Sequence, residues 1–127
     1  MAQLKKIKVH IFLRKPFKFE NHSIEKLFHS IVKEKNDEFE FILLKCPFYS
    51  RGILRRFLNC IWAFFKQGDI NHISGDTNFI SIFLDKNKTI NTFHDCYNLR
   101  HYIGLKKIIF KLFWFYIPIK KSKYITA

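Results

Sequence analysis

Glycine and proline are scarce in this chain, 4 and 3 among 127 residues, which excludes collagen-like repeats and Gly/Pro-rich disorder. The 3 cysteines, Cys46, Cys60 and Cys96, are odd in number and widely spaced, with no Cys-x-x-Cys pair. Neither a disulfide framework nor a zinc ribbon is expected, and a reduced, cytoplasmic compartment fits best. Acidic residues are also few, 10 against 23 Lys and Arg, so the net charge is +13 and the sequence pI about 9.8. Such an excess points to an anionic partner: nucleic acid, a lipid headgroup or a phosphorylated substrate. Arg is used sparingly, however, while Lys, Ile, Asn and Phe abound, a usage that an AT-rich coding sequence produces whatever the protein binds. Nucleic acid is therefore not the expected partner.

Long apolar runs are missing as well. The greasiest stretch, 108–119, is interrupted by Lys111 and broken by Pro118, well short of the ~20 residues that cross a bilayer. The N-terminus has no apolar segment of signal-peptide length before Arg14 and Lys15. What is present is globular: 48% hydrophobic and 26% charged residues, in a length that builds one domain with a single core.

Ile7, Val9, Ile11 and Leu13 alternate with Lys8, His10, Phe12 and Arg14, a period-2 strand that ends before Pro16. Ser23 is a good N-cap, and Ile24, Leu27, Phe28, Ile31 and Val32 fall on one helical face that runs to about Lys35. Residues 39–45 form a second short apolar run, bounded by Asn36, Asp37 and Pro47. Leu54, Phe57, Leu58, Ile61, Trp62 and Phe65 make a second helical stripe, closed by Gly68. A brief strand over 69–73, a short helix over 76–84, a strand over 88–93, a helix over 105–116 and a strand over 123–126 complete the pattern. Strands separated by helical segments of this length imply parallel pairing, so the expected fold is α/β: a Rossmann-like three-layer sandwich with a mostly parallel sheet. The chain stops inside its fifth strand, before the loop and helix that normally cover such a strand, so it looks cut short. The 105–116 helix is apolar almost all round, which favours burial over membrane contact.

Open α/β sheets bind ligands beyond the carboxyl ends of their strands. The stretches to read are therefore 14–22, 74–78 and 94–100, all polar. No G-x-G-x-x-G follows the first strand and no G-x-x-x-x-G-K-[ST] occurs, so neither a dinucleotide site nor a P-loop is supported. His94 could hydrogen-bond a phosphate or sugar hydroxyl, with Asp95 orienting it or taking a proton. The same two residues could simply close the strand and cap the following turn. Gly75 and Asp76 read either as a binding turn or as a strand end with an N-cap. His72 is a packing residue by its place within a strand, and Cys46 and Cys60 read as packing residues too. His94, Cys96 and His101 match no standard zinc spacing, and nucleophilic catalysis has no supporting pattern. Arg51, Arg55, Arg56, Lys106 and Lys107 flank aromatic helices as in interfacial membrane segments, or form a solvated face.

Asp69-Ile-Asn-His-Ile-Ser-Gly-Asp76, Lys88-Thr-Ile-Asn-Thr-Phe-His-Asp95 and Ile117-Pro-Ile-Lys-Lys-Ser-Lys-Tyr-Ile-Thr-Ala127 occur in this order. Together with Lys8-Val-His-Ile-Phe-Leu-Arg-Lys-Pro-Phe and Asn21-His-Ser-Ile-Glu25, they resemble the amino-terminal half of GT-B glycosyltransferases of family four, the "glycosyl transferases group 1" enzymes. The resemblance covers essentially the whole chain. It implies an acceptor-binding domain of a retaining hexosyltransferase that moves a sugar from a nucleotide-sugar to a glycan or lipid-linked acceptor. It further implies that His94 faces the donor sugar and phosphates with Asp95 in support. Arg14, Lys15, Gly75, Asp76 and Asn78 would then line the acceptor side, and no metal or cofactor would be needed. Arg51, Arg55, Arg56, Lys106 and Lys107 would meet an anionic inner membrane leaflet. The family's second domain with its Glu-x7-Glu motif is not in this sequence, nor is the Ser-Glu that usually follows Tyr-Ile-Thr-Ala. The chain is thus expected to be inactive alone or to work with a separately encoded second half. The competing reading is a small basic protein that binds nucleic acid or membrane without catalysis.

Overall fold

The computed structural model describes residues 5–15, 23–33, 37–75, 77–93 and 102–126, with the backbone alone for 23–25. The alternating run becomes β1 (Ile7–Leu13), and the first helical stripe becomes α1 (Ser23–Val32). β2 (Phe39–Lys45), α2 (Ile53–Phe65), β3 (Ile70–Ile73) and β4 (Thr89–Thr92) follow. After β4 come α3 (Gly104–Lys111), α4 (Ile117–Lys120) and β5 (Tyr124–Thr126). The five strands form one sheet in the order β2-β1-β3-β4-β5, and every neighbouring pair is parallel. The expected parallel α/β sandwich is thus the observed architecture.

Period-2 alternation assigns the two faces. Val9, Ile11 and Leu13 point to one side, where they pack with Phe28 of α1 and with Val32, Phe41 and Leu43. Phe12 and Ile73 point to the other, against Cys60 and Ala63 of α2 and Phe79, Ile80 and Leu84 of the segment after β3. Each fully buried Phe, Ile or Leu contributes about 1.5–3 kcal/mol of transfer free energy, so these two clusters are what clamp a helical layer to each face. His10 also points toward α2. Its Nδ1 lies 2.6 Å from the Lys66 carbonyl oxygen, and its ring lies so close to Gly68 that a Cβ there would stand 2.4 Å from His10 Cδ2. Gly68 is therefore required by a close approach as much as by the end of α2, whose last helical residue is Phe65.

Two expectations are corrected. The short helix expected over 76–84 is a 3-10 helix over Asn78–Phe83, followed by a 3-10 turn at Lys86–Lys88. Its side chains compete for backbone groups, since Ser81 Oγ donates to the Asn78 carbonyl at 2.8 Å, and β-branched Ile80 and Ile82 slightly lower the preference for α geometry. The second correction concerns the helix over 105–116. It is not buried: Leu105 is 72% exposed and Ile108 64%. Only its inner side has a layer beneath it, where Phe110 stacks on Trp114 at 5.0 Å and Trp114 reaches Phe79 at 5.1 Å. The helix widens to π geometry over Leu112–Tyr116 and then continues as α4, with Pro118 buried. Pro118 has no N–H for the i−4 carbonyl and its ring crowds that position, which accounts for the wider turn just before it.

Candidate functional site

β1 lies between β2 and β3, so the chain leaves it first to one side of the sheet and then to the other. The order reverses there, and the carboxyl ends of β1 and β3 flank the crevice in which open α/β sheets hold ligands. At the β1 end, the Leu13 carbonyl accepts the Cys46 N–H at 2.8 Å, tying the exits of β1 and β2 together. Arg14 and Lys15 follow, both half-buried. Lys15 Nζ stands 4.4 Å above the Tyr49 ring, a cation–π contact between the two loops of about 0.5–1 kcal/mol.

At the β3 end, Ser74 donates twice to the Phe12 carbonyl, from its N–H at 3.2 Å and from Oγ at 2.8 Å. Gly75 then adopts φ 109°, a backbone region that side chains disfavour, and its carbonyl accepts the Thr77 N–H. Ser74 and Gly75 are both buried, so this turn is locked to β1 rather than left open. The local sequence explains the lock: a hydroxyl able to return to the neighbouring strand stands next to the one residue type that makes the turn cheaply.

Asn78 does not present itself to a ligand. It is 4% exposed, and its amide nitrogen donates to Asn91 Oδ1 at 2.5 Å and to the Thr92 carbonyl at 2.9 Å. Placed among the acceptor-side residues on its position in the loop, it instead fastens the 3-10 helix to the carboxyl end of β4. On the opposite face, His72 Nε2 lies 2.7 Å from Thr92 Oγ1, which lies 2.6 Å from Thr126 Oγ1, and the Phe28 ring meets the imidazole edge-on at 5.3 Å. His72 is the satisfied packing residue that its place in the strand suggests. Sequence reasoning missed this polar seam. Its signal was the placement of Asn71, Asn78 and Asn91 in segments too short to waste inward positions on unpaired amides.

Asp76, His94 and Asp95 lie outside the described residues, as do Cys96 and His101. The chain leaves β4 through Phe93, the last described residue before His94 and Asp95, whose N–H donates to the Thr126 carbonyl at 2.9 Å. Among the described residues no group of His, Cys, Asp and Glu is arranged to hold a metal ion. The Cys46 and Cys60 thiols are buried, and desolvation pushes each from 9.0 up to about 12, which suits packing and not nucleophilic attack.

The remaining cations gather elsewhere. Arg51 and Arg55, before and in the first turn of α2, and Lys106 and Lys107, in the first turn of α3, are exposed. Arg56 is half-buried, with its guanidinium 4.6 Å above the Trp114 ring and Nη2 donating to the Ser50 carbonyl at 3.2 Å. Its Nε is buried with no hydrogen-bond partner among the described residues. Burial lowers its pKa, and Tyr102 lies close enough to oppose that shift; the same ring carries Lys106 Nζ at 4.5 Å. Between α2 and the α3 segment runs an apolar groove of about 370 Å³, lined by Ile53, Phe57, Phe79, Ile109 and Phe113, with Arg56 as its polar member. No helix among the described residues is long and apolar enough to cross a membrane.

The chain was compared with protein-family models, curated proteins and solved structures, and it matches none of them.

Proposed function

We propose that this chain is the acceptor-binding part of a retaining glycosyltransferase of the GT-B kind, which moves a sugar from a nucleotide-sugar to a glycan or lipid-linked acceptor. One observation supports this reading above the others. Parallel pairing in the order β2-β1-β3-β4-β5 aligns, along one edge, the ends of the strands on which the family resemblance rests: Ser74 and Gly75 after β3, Phe93 leading to His94 and Asp95 after β4, and Tyr124–Thr126 in β5.

Under this reading Arg14 and Lys15 face the acceptor or its phosphates across the switch-point crevice, with the rigid Ser74-Gly75 turn as the opposite wall. His94 hydrogen-bonds the donor sugar or phosphate, and Asp95 holds its imidazole in one tautomer. The departing phosphate is stabilised by protein donors and helix ends. The cations Arg51, Arg55, Lys106 and Lys107, interspersed with exposed apolar side chains, suit an enzyme that rests on an anionic membrane surface where a lipid-linked acceptor lies.

The test is sugar transfer in membranes from the cells that make the protein, comparing the wild type, a strain lacking the gene and a His94→Ala strain, each supplied with labelled nucleotide-sugars. Loss of one labelled product in the deletion strain is expected. A fall of about 10²-fold or more should accompany His94→Ala if the imidazole takes part in proton transfer. Unchanged labelling in the deletion strain overturns the proposal, and near-normal labelling in His94→Ala reduces that residue to closing a strand.

A further inference from the structure

We propose that two copies of this chain join edge to edge along β2, in antiparallel pairing about a two-fold axis through Phe41, so that two five-stranded sheets become one. This inference stands apart from the glycosyl-transfer reading, because it uses neither the carboxyl edge of the sheet nor His94.

Three observations carry it. The first is the make-up of the edge. β2 ends the strand order, and its seven residues run in unbroken register with β1. Natural edge strands are blunted by brevity, proline, bulges or inward-pointing charge. β5, at the opposite edge, is three residues long, and all three are exposed. β2 has no proline and no bulge, and the one charge between its ends, Glu40, is exposed. A strand this long and this apolar is a template for another strand.

The second is the direction of its backbone groups. The Ile7 N–H donates to the Glu38 carbonyl at 2.9 Å, and the Cys46 N–H donates to the Leu13 carbonyl at 2.8 Å. Residues along a strand alternate in the side to which they turn N–H and C=O. Glu40, Ile42 and Leu44 therefore turn theirs to β1, while Phe41, Leu43 and Lys45 turn theirs outward. Among the described residues no strand lies on that side of β2. A second strand satisfies such a row pair by pair.

The third is self-complementarity. A two-fold axis perpendicular to the sheet keeps each face on its own side, so residues of one face meet residues of the same face. Centred on Phe41, the pairing sets Leu43 opposite Phe39 and the exposed Lys45 opposite the exposed Asp37, twice over. Centring on Glu40 instead sets two carboxylates face to face, and centring on Ile42 or Leu43 sets Lys45 against Phe39 or Phe41. Charge thus selects one register, and because the strand complements itself, the occupant it fits is a second copy of this chain.

The experiment uses the purified full-length chain at low ionic strength, followed by sedimentation equilibrium and by residue-resolved amide hydrogen exchange over rising concentration. The mass should climb from 15.4 kDa toward twice that value. Over the same range the Phe41 and Leu43 amides should slow at least tenfold, while those of Ile42 and Leu44, already bonded to β1, keep their rates. Lys45→Glu and Asp37→Lys should each weaken dimerisation about tenfold, since two attractive pairs become repulsive, and the doubly substituted chain should recover the affinity of the wild type. Both side chains are exposed, so these substitutions leave the fold intact, which a thermal melt checks. A monomer at every concentration overturns the proposal. So does a dimer whose Phe41 and Leu43 amides exchange as in the monomer, which would place the joint on another surface. A doubly substituted chain that associates no better than the single variants overturns the register. No nucleotide-sugar takes part in these measurements, so their failure leaves the transfer reading where it stood.

Discussion

Two regions of this protein handle polarity in opposite ways. At the carboxyl ends of β3 and β4 the interior is polar: Ser74, Thr77, Asn78, Ser81, Asn91 and Thr92 are all buried, with Ser74, Asn78, Asn91 and Thr92 bonded between elements and the Thr77 and Ser81 hydroxyls bonded back to carbonyls two and three residues earlier. On the outer side of α2 and α3 the surface is apolar, with Ile53, Leu54, Phe57, Leu105, Ile108 and Ile109 exposed. The first region spends its polar groups on itself and is therefore rigid. The second leaves apolar area in water, which costs stability unless something covers it. The tight bonding thus sits beside the switch-point crevice, and the uncovered apolar area sits on the far side of α2 and α3.

The sharpest way to break this comparison is to make the polar interior apolar. Asn91→Leu removes the acceptor for Asn78 Nδ2 and the donor toward the Asn78 carbonyl, and it forces a branched side chain into the seam. A loss of about 3 kcal/mol is expected, read as a lower urea midpoint at unchanged slope. A loss below about 1 kcal/mol would mean the seam is looser than its distances indicate. Gly68→Ala comes next. It presses a methyl group on the pinned ring of His10, beside the Gly68 N–H that donates to Asn71 Oδ1 at 2.9 Å, and should cost about 2 kcal/mol.

Alkaline pH probes the dry floor beneath α2. Cys46 and Cys60 keep their protons when folded but ionise near 9.0 when unfolded. Their contribution is therefore whole below pH 9.0 and is lost as pH rises from there toward about 12. For Cys46 each unit of pH in that window lowers stability by about 1.4 kcal/mol. Urea midpoints at pH 8 and pH 10.5 should fall further in the wild type than in a Cys46→Ala, Cys60→Ala variant, and equal falls would place the thiols in wetter surroundings. The smallest effect is expected from the exposed side: Ile53→Ser should change stability by no more than about 0.5 kcal/mol, since that side chain is nearly as exposed folded as unfolded. A larger loss would show that Ile53 packs on its own chain in solution.

Much of the fold was legible because its signals are local. Alternation marked β1, and the stripes of α1 and α2 marked helices whose lengths require parallel crossovers. Gly75 could be read as a turn from its residue type alone, and His72 as a packing residue from its place within a strand. Other features resisted because they depend on partners distant in sequence. Asn78 reads as a loop residue until Asn91 and Thr92, 13 and 14 positions later, take up its amide. The 105–116 helix reads as buried because hydropathy counts apolar side chains and cannot count the layers available to cover them.

The sequence by itself determined the strand and helix order, the parallel class of the sheet, the charge of +13 and the absence of a membrane-crossing run, all of which follow from residue type and short-range spacing. Tertiary structure alone decided which way Asn78 faces, that Gly68 must yield room to His10, and that α2 and α3 hold a groove between them with Arg56 at its polar point. Those outcomes rest on distances between residues far apart in the chain, which pattern and composition do not encode until the sheet brings the segments together.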